Sequence, residues 1–369
     1  MNKILSIVAV VFLTSLFCCC NREGNDSELK FKIAQMLVVG FKGSEADERL
    51  LDLVSQQGVG GVILFSQDVS EGLAERNVIN MEQLTGLTRT LQEASDNRLL
   101  ISIDQEGGAV QRLRADRGFV ETPSPQYLGE VDDLDSTRHY SAISAEQLVE
   151  LGINVNFVPC VDLNLNPENP VIGARGRAIS DDRDVVVRHA EVVIEEFDKR
   201  GIITSLKHFP GHGSSVSDSH LGFTDITDSF SSSELEPYRQ LIEEDRARIV
   251  MVGHLFNRNI DSLYPASLSR VTIDSILRCE LRYDGVVATD DMNMRAITDH
   301  YTYKKALQLA INAGVDMVII GNNGAKYESD LPERSMKYIY EMVKDGTIPQ
   351  SRIDEAYKRI TALKDRVLP

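Results

Sequence analysis

Three of the seven histidines in this chain fall within residues 207–220. They occur in Lys207-His208-Phe209-Pro210-Gly211-His212-Gly213 and in the following Asp218-Ser219-His220. Two chemistries fit such a cluster. His208 and His212 have the i, i+4 spacing that on a helix would offer both rings to one metal ion. Pro210, Gly211 and Gly213 prevent that helix, and no Glu follows His208 as in the HExxH zinc proteases. No metal is therefore expected. The second chemistry is proton transfer. In an extended segment residues i and i+2 point the same way, so Asp218 can bond to His220. A carboxylate partner fixes the imidazole tautomer and lets the ring give and take a proton near neutral pH. Taken alone, that tripeptide also reads as a solvated Asp and His on a surface loop.

Other chemically capable residues end apolar runs. Leu99–Ile103 stops at Asp104, Val158–Val161 at Asp162, and Ile202–Leu206 at Lys207-His208. Ile249–Gly253 stops at His254, and Val286–Thr289 at Asp290-Asp291. One such ending is an ordinary turn residue; five need a common cause. The elements supply one. Met36–Gly40, Val59–Phe65, Leu99–Asp104, Asn154–Asp162, Ile202–Lys207, Ile249–His254, Gly285–Asp290 and Asp316–Gly321 are short, Val- and Ile-rich and nearly unbroken. That is the pattern of parallel strands buried on both faces. Amphipathic stretches of helical length lie between them, such as Ser44–Gln57, Asn80–Ser95, Ser136–Leu151, Asp184–Arg200, Ser232–Asp245 and Ile273–Arg282. Ser232 with Glu234 and Glu236 reads as a helix start. Gly58, Gly152, Gly201 and Gly314 read as stops. Eight βα alternations predict an α/β fold, a single-domain (β/α)8 TIM-like barrel whose functional groups gather at the C-terminal ends of the strands. A doubly wound open sheet is the second choice.

Composition narrows the partners. The chain has 369 residues, 42% hydrophobic and 26% charged, which excludes a mainly disordered chain and a multi-span membrane protein. The formal charge is −17, from 39 basic and 56 acidic residues. Without a basic cluster, such a chain repels phosphate backbones, so nucleic acid is not an expected partner. Trp is absent, so any sugar-stacking surface must use Phe or Tyr. Residues 1–19 read as an export signal: Lys3, an apolar stretch from Ile4 to Phe17, then Cys18-Cys19-Cys20. The segment resembles a bacterial lipoprotein signal, with one of these cysteines lipidated. Residues 20–29 read as a polar tether and 30–369 as the barrel. The expected protein is exported and lipid-anchored to a bacterial membrane, periplasmic or at the cell surface, and monomeric. Cys160 and Cys279 are expected to be buried free thiols.

Several motifs occur together. Asp104-Gln105-Glu106-Gly107-Gly108 is followed by Val110-Gln111-Arg112, then by Asn169-Pro170-Val171-Ile172-Gly173-Ala174-Arg175. The Lys207 to His220 cluster, Pro265-Ala266-Ser267-Leu268-Ser269 and Ala288-Thr289-Asp290-Asp291-Met292-Asn293-Met294 complete the set. From about residue 30 onward the chain resembles the bacterial β-N-acetylglucosaminidases of glycoside hydrolase family 3. The resemblance implies Asp290 as nucleophile, His220 as an unusual general acid/base and Asp218 as its partner. It implies Asp104, Arg112, Arg175, Lys207 and His208 as the residues holding a terminal GlcNAc, with no cofactor. One departure stands out. The family carries Ser-aromatic or Ser-Phe-Gly after the arginine of its substrate loop, and this chain has Gly176-Arg177-Ala178-Ile179 after Arg175. The implied activity is retaining exo-hydrolysis of β-linked GlcNAc from peptidoglycan fragments or related glycans. Phosphorolysis of the same bond, a β-glucosidase-like specificity and a non-catalytic glycan-binding lipoprotein are the alternatives.

Overall fold

The computed structural model describes residues 26–218 and 222–367. The expected export signal, the three tandem cysteines and His220 lie outside the described residues. All eight expected strands form. In chain order they are β1 (Leu37–Gly40), β2 (Gly61–Ile63), β3 (Leu100–Ile103), β4 (Val155–Asn156), β5 (Ile203–Phe209), β7 (Ile249–Val252), β9 (Val286–Thr289) and β10 (Val318–Ile320). Two short strands, β6 (Thr224–Asp225) and β8 (Leu255–Phe256), pair with each other outside the main sheet. The eight run parallel in the order β10-β1-β2-β3-β4-β5-β7-β9. The ends of that order meet through a parallel bridge between Ala288 and Met317 and a bond from Thr289 N to Met317 O of 3.0 Å. The sheet is thus a nearly closed (β/α)8 barrel.

Every residue of these eight strands is buried, which is why their sequences do not alternate. Each fully buried Val, Ile or Leu contributes roughly 1.5–3 kcal/mol, so the barrel wall is a main store of stability. Several helices between strands carry an apolar stripe. Arg183–Asp198 buries Val186, Val187, Ala190, Ile194 and Phe197, and Asp182 caps it by accepting from the backbone N–H groups of Asp184 and Val185. Gly201 and Gly314, two of the expected stops, sit at φ +70° and +117°, the left-handed region that glycine enters without a Cβ penalty.

Four local expectations change. β4 leaves the ladder after Asn156, and contact with β5 resumes as a single bridge from Cys160 to Lys207. Residues 26–29, expected in the tether, open a helix over residues 26–35, because Leu29 joins Ile33 and Ala34 in a buried stripe. The helix start near residue 232 is capped by Ser231. Ser231 accepts from Ser233 N, and Glu234 accepts from Ser231 N, a capping box. Cys160 is buried but Cys279 is exposed on the helix Val271–Glu280. No helix among the described residues is long and apolar enough to cross a membrane. At the N-terminal end of the strands, buried Asp316 is bound by Arg278, Arg352 and Arg359. Nearby, Lys364 donates to Gln35 Oε1, Gly60 O and Asn97 O.

Candidate active site

The C-terminal end of the barrel opens into a cleft of about 480 Å³, within the roughly 300–1,000 Å³ range of small-molecule sites. The expected residues Asp104, Arg112, Arg175, Lys207, His208, Asp218 and Asp290 all line it, and so does Arg177. Asp104 follows β3 directly. Its carboxylate accepts from Lys207 Nζ at 2.8 Å and from Arg112 Nη2 at 3.2 Å. Burial would push Asp104 up, but Lys207 and Arg112 outweigh it and hold the carboxyl down at about 2. Asp104 is therefore a charged acceptor held in one orientation. Arg112 Nε is buried without a hydrogen-bond partner. Lys207 Nζ also lies 2.6 Å from Glu106 Oε1. Burial would lower its ammonium, and Asp104 and Glu106 raise it instead, so the lysine stays charged.

A deeper layer orients this one. Glu106 accepts two bonds of 2.8 Å from Arg177, at Nε and Nη2. Burial disfavours both charges, yet the pair holds Glu106 well below and Arg177 well above their usual ranges. Arg177 Nη2 also lies 3.2 Å from His208 Nε2. Arg177 can only donate, so Nε2 accepts, and His208 Nδ1 carries the proton toward Asp162 Oδ2 at 2.7 Å. Asp162 accepts as well from the backbone N–H groups of His208 and His212. Against the cost of burial, His208 keeps it ionised well below the usual carboxylate range. His208 thus lines the cleft while linking Asp162 to Arg177.

Asp290 follows β9. Its Oδ1 accepts from Asp291 N at 2.8 Å, and its own N–H donates to Val252 O, so β7 anchors its backbone and the next residue steadies its carboxylate. Asp291 plays a different part. Its Oδ1 accepts from Gly321 N at 2.7 Å and Asn293 N at 3.0 Å. His254 joins Ser267 Oγ to the carbonyl of Asp291. Asp218 is half-buried on the same cleft as Asp290.

Cys160 Sγ, Asp162 and His208 form a close buried trio that could in principle hold a metal ion. Its donors already serve one another. Cys160 Sγ donates to Asp162 Oδ2 at 3.2 Å. Burial and then the Asp162 charge push the thiol far up, away from the thiolate a metal needs. His208 and His212 share no ligand position. Burial pushes His212 down to about 4, and its Nδ1 pairs with Ser215 Oγ at 2.7 Å.

The family model of the glycosyl hydrolase family 3 N-terminal domain matches residues 28–363. The chain belongs to glycosyl hydrolase family 3. A β-hexosaminidase of Haemophilus influenzae is 33% identical over 295 residues, covering 78% of this chain and 79% of that protein. β-Hexosaminidase A of Pseudoalteromonas piscicida is 31% identical over 342 residues, 86% of this chain and 55% of that protein. Among solved structures, a glycoside hydrolase family 3 β-N-acetylglucosaminidase from Paenibacillus sp. superposes with a TM-score of 0.81 at 34% identity. The match covers 91% of this chain and 62% of that one. This chain therefore spans little more than half of some of its relatives.

Within this family 3 barrel the expected Arg175 lines the cleft, and Arg177, which sequence reasoning passed over, lines it too. Arg175 is exposed at the rim, its Nε donating to Pro170 O, whereas Arg177 is buried between Glu106 and His208. Glu106 and Asp162 were visible only as a motif letter and a strand ending. A stability comparison checks the assignment. Arg177→Ala leaves Glu106 buried with one cation fewer, and is expected to cost about 3 kcal/mol of unfolding free energy. Arg175→Ala is expected to stay within about 0.5 kcal/mol of the parent. Equal losses in urea unfolding would refute the division of roles.

Proposed function

We propose that the chain is a retaining exo-β-N-acetylglucosaminidase that removes terminal β-linked GlcNAc from peptidoglycan fragments or related glycans. The observation that carries this reading is the single cleft onto which Asp290, Asp218, Asp104, Arg112 and Lys207 all open. The names of the relatives, β-hexosaminidase and β-N-acetylglucosaminidase, support it.

In the proposed reaction Asp104, Arg112, Arg175, Lys207 and His208 bind the terminal sugar, and Arg177 on the same cleft holds His208 and Glu106 in place. Asp290 attacks the anomeric carbon. The bond to the leaving oxygen breaks, its electron pair stays on that oxygen, and His220 supplies the proton. The covalent glycosyl-enzyme is then opened by water. His220 takes the water's proton and Asp290 recovers its carboxylate. Asp218 stabilises the imidazolium between the two halves. Histidine suits both directions because its ordinary pKa lies near neutrality. Bonds from Lys207 and Arg112 to the sugar can strengthen as oxocarbenium charge develops, which is what accelerates the step. This protein would act as an exported monomer, held to a bacterial membrane by a lipid on Cys18, Cys19 or Cys20.

The test is a rate comparison on 4-nitrophenyl β-GlcNAc, β-glucoside and β-xyloside, with and without phosphate. The β-GlcNAc substrate is expected to turn over fastest, at a rate phosphate does not change, giving free GlcNAc. Phosphate-dependent release of a sugar 1-phosphate would replace hydrolysis with phosphorolysis. Preference for the glucoside would remove the GlcNAc assignment.

A further inference from the structure

We propose that Glu234 is a positioning residue: its buried carboxylate grips the root of the loop that leads to Asp218 and so sets where the proton donor stands. The inference rests on the acid/base reading of Asp218 and His220 above. Glu234 does not line the cleft, and its side chain is almost wholly buried. Oε2 accepts from Gly213 N at 3.0 Å and Ser214 N at 3.3 Å. Oε1 accepts from Ser214 Oγ at 2.6 Å and from Ser231 N at 3.3 Å.

A capping box accounts for only one of those four bonds. The other three reach a different loop, more than fifteen residues earlier in the chain. Burying a carboxylate without a cation is costly and is tolerated only when hydrogen bonds satisfy it. Here that cost is met by the loop root. The fit is close: a Cβ added at Gly211, which sits at φ +139°, would lie 2.5 Å from Glu234 Cβ. From the opposite side Asn169 Nδ2 donates to His212 O at 2.7 Å and Asn166 Nδ2 to Ser215 O at 2.9 Å. Residues 212–215 are thus gripped from two sides. Val216, one residue further, is 70% exposed. The grip ends just before the residues that carry the chemistry, so its geometry sets their starting point.

Glu234→Gln tests this, because the amide nitrogen must face a donor that the carboxylate accepted. The full chain is assayed for kcat/KM on an activated 4-nitrophenyl β-GlcNAc and on a GlcNAc disaccharide with a poor leaving group, alongside thermal unfolding. The expected result is a loss of about tenfold on the disaccharide, where acid catalysis matters, with KM and the activated substrate within about threefold. Ser214→Ala removes one donor without touching Glu234 and should give the same selective pattern at smaller size. It decides the matter if Glu234→Gln does not fold. Parallel loss on both substrates means a purely structural role and overturns the proposal. His220→Ala is run beside them. If it shows no leaving-group selectivity, the acid/base reading itself fails. If it does and neither loop-root variant follows, only the positioning proposal fails.

Discussion

Asp290→Asn is expected to abolish turnover while leaving the barrel folded. The loss should be on the order of 10⁴-fold or more in kcat, the scale seen when a covalent nucleophile is removed. The fold should survive because in the resting protein Oδ1 of this carboxylate accepts from Asp291 N, and an asparagine carbonyl can accept the same bond. A fluorinated GlcNAc that traps the glycosyl-enzyme should label the parent and leave the variant unlabelled. Unchanged labelling of Asp290→Asn would exclude this residue as nucleophile. Asp291, its neighbour, is the obvious rival. Its carboxylate already ties down Gly321 N and Asn293 N, so it is spent on shaping the mouth of the barrel.

The second large effect is expected at His220. Replacing it by Ala should cost roughly 10²–10⁴-fold on substrates with poor leaving groups, the usual worth of a general acid. Glycosides whose leaving groups depart unaided should lose far less in kcat/KM. The ratio between the two substrate classes is the measurement. A ratio near one would show that His220 transfers no proton in the first step. Any change in how tightly the variant holds the terminal sugar cancels in that ratio, since both substrates carry the same one.

Much of this was legible from residue types alone. The eight strands could be read because both faces of each are buried, so each run is apolar throughout. Asp104, Lys207 and Asp290 stood out because they interrupt such runs at the barrel's working end. That Arg177 lines the cleft as well as Arg175 was not legible. Both lie in one tight loop, two residues apart, and only the turn of 3₁₀ helix at Gly173–Arg175 leaves the first exposed and the second buried. Ser232 was read as the helix start, and Ser231 is the cap. What selects Ser231 is the burial of Glu234, a tertiary event. His208 was read as a sugar ligand. It does line the cleft, and its tie to Asp162, more than forty residues away, cannot be seen in local pattern.

The closure of the sheet has a consequence for the order of events during folding. β1 has β2 on one side and β10 on the other, so one edge of the earliest strand waits unpaired until nearly the whole chain is available. Lys364, which ties the last helix to Gln35, Gly60 and Asn97, arrives later still. Loop closure on that scale places the chain among slow, long-range assemblers whose partly made forms expose a strand edge. The same connection that all but closes the finished barrel keeps the unfinished chain open until its last segment arrives.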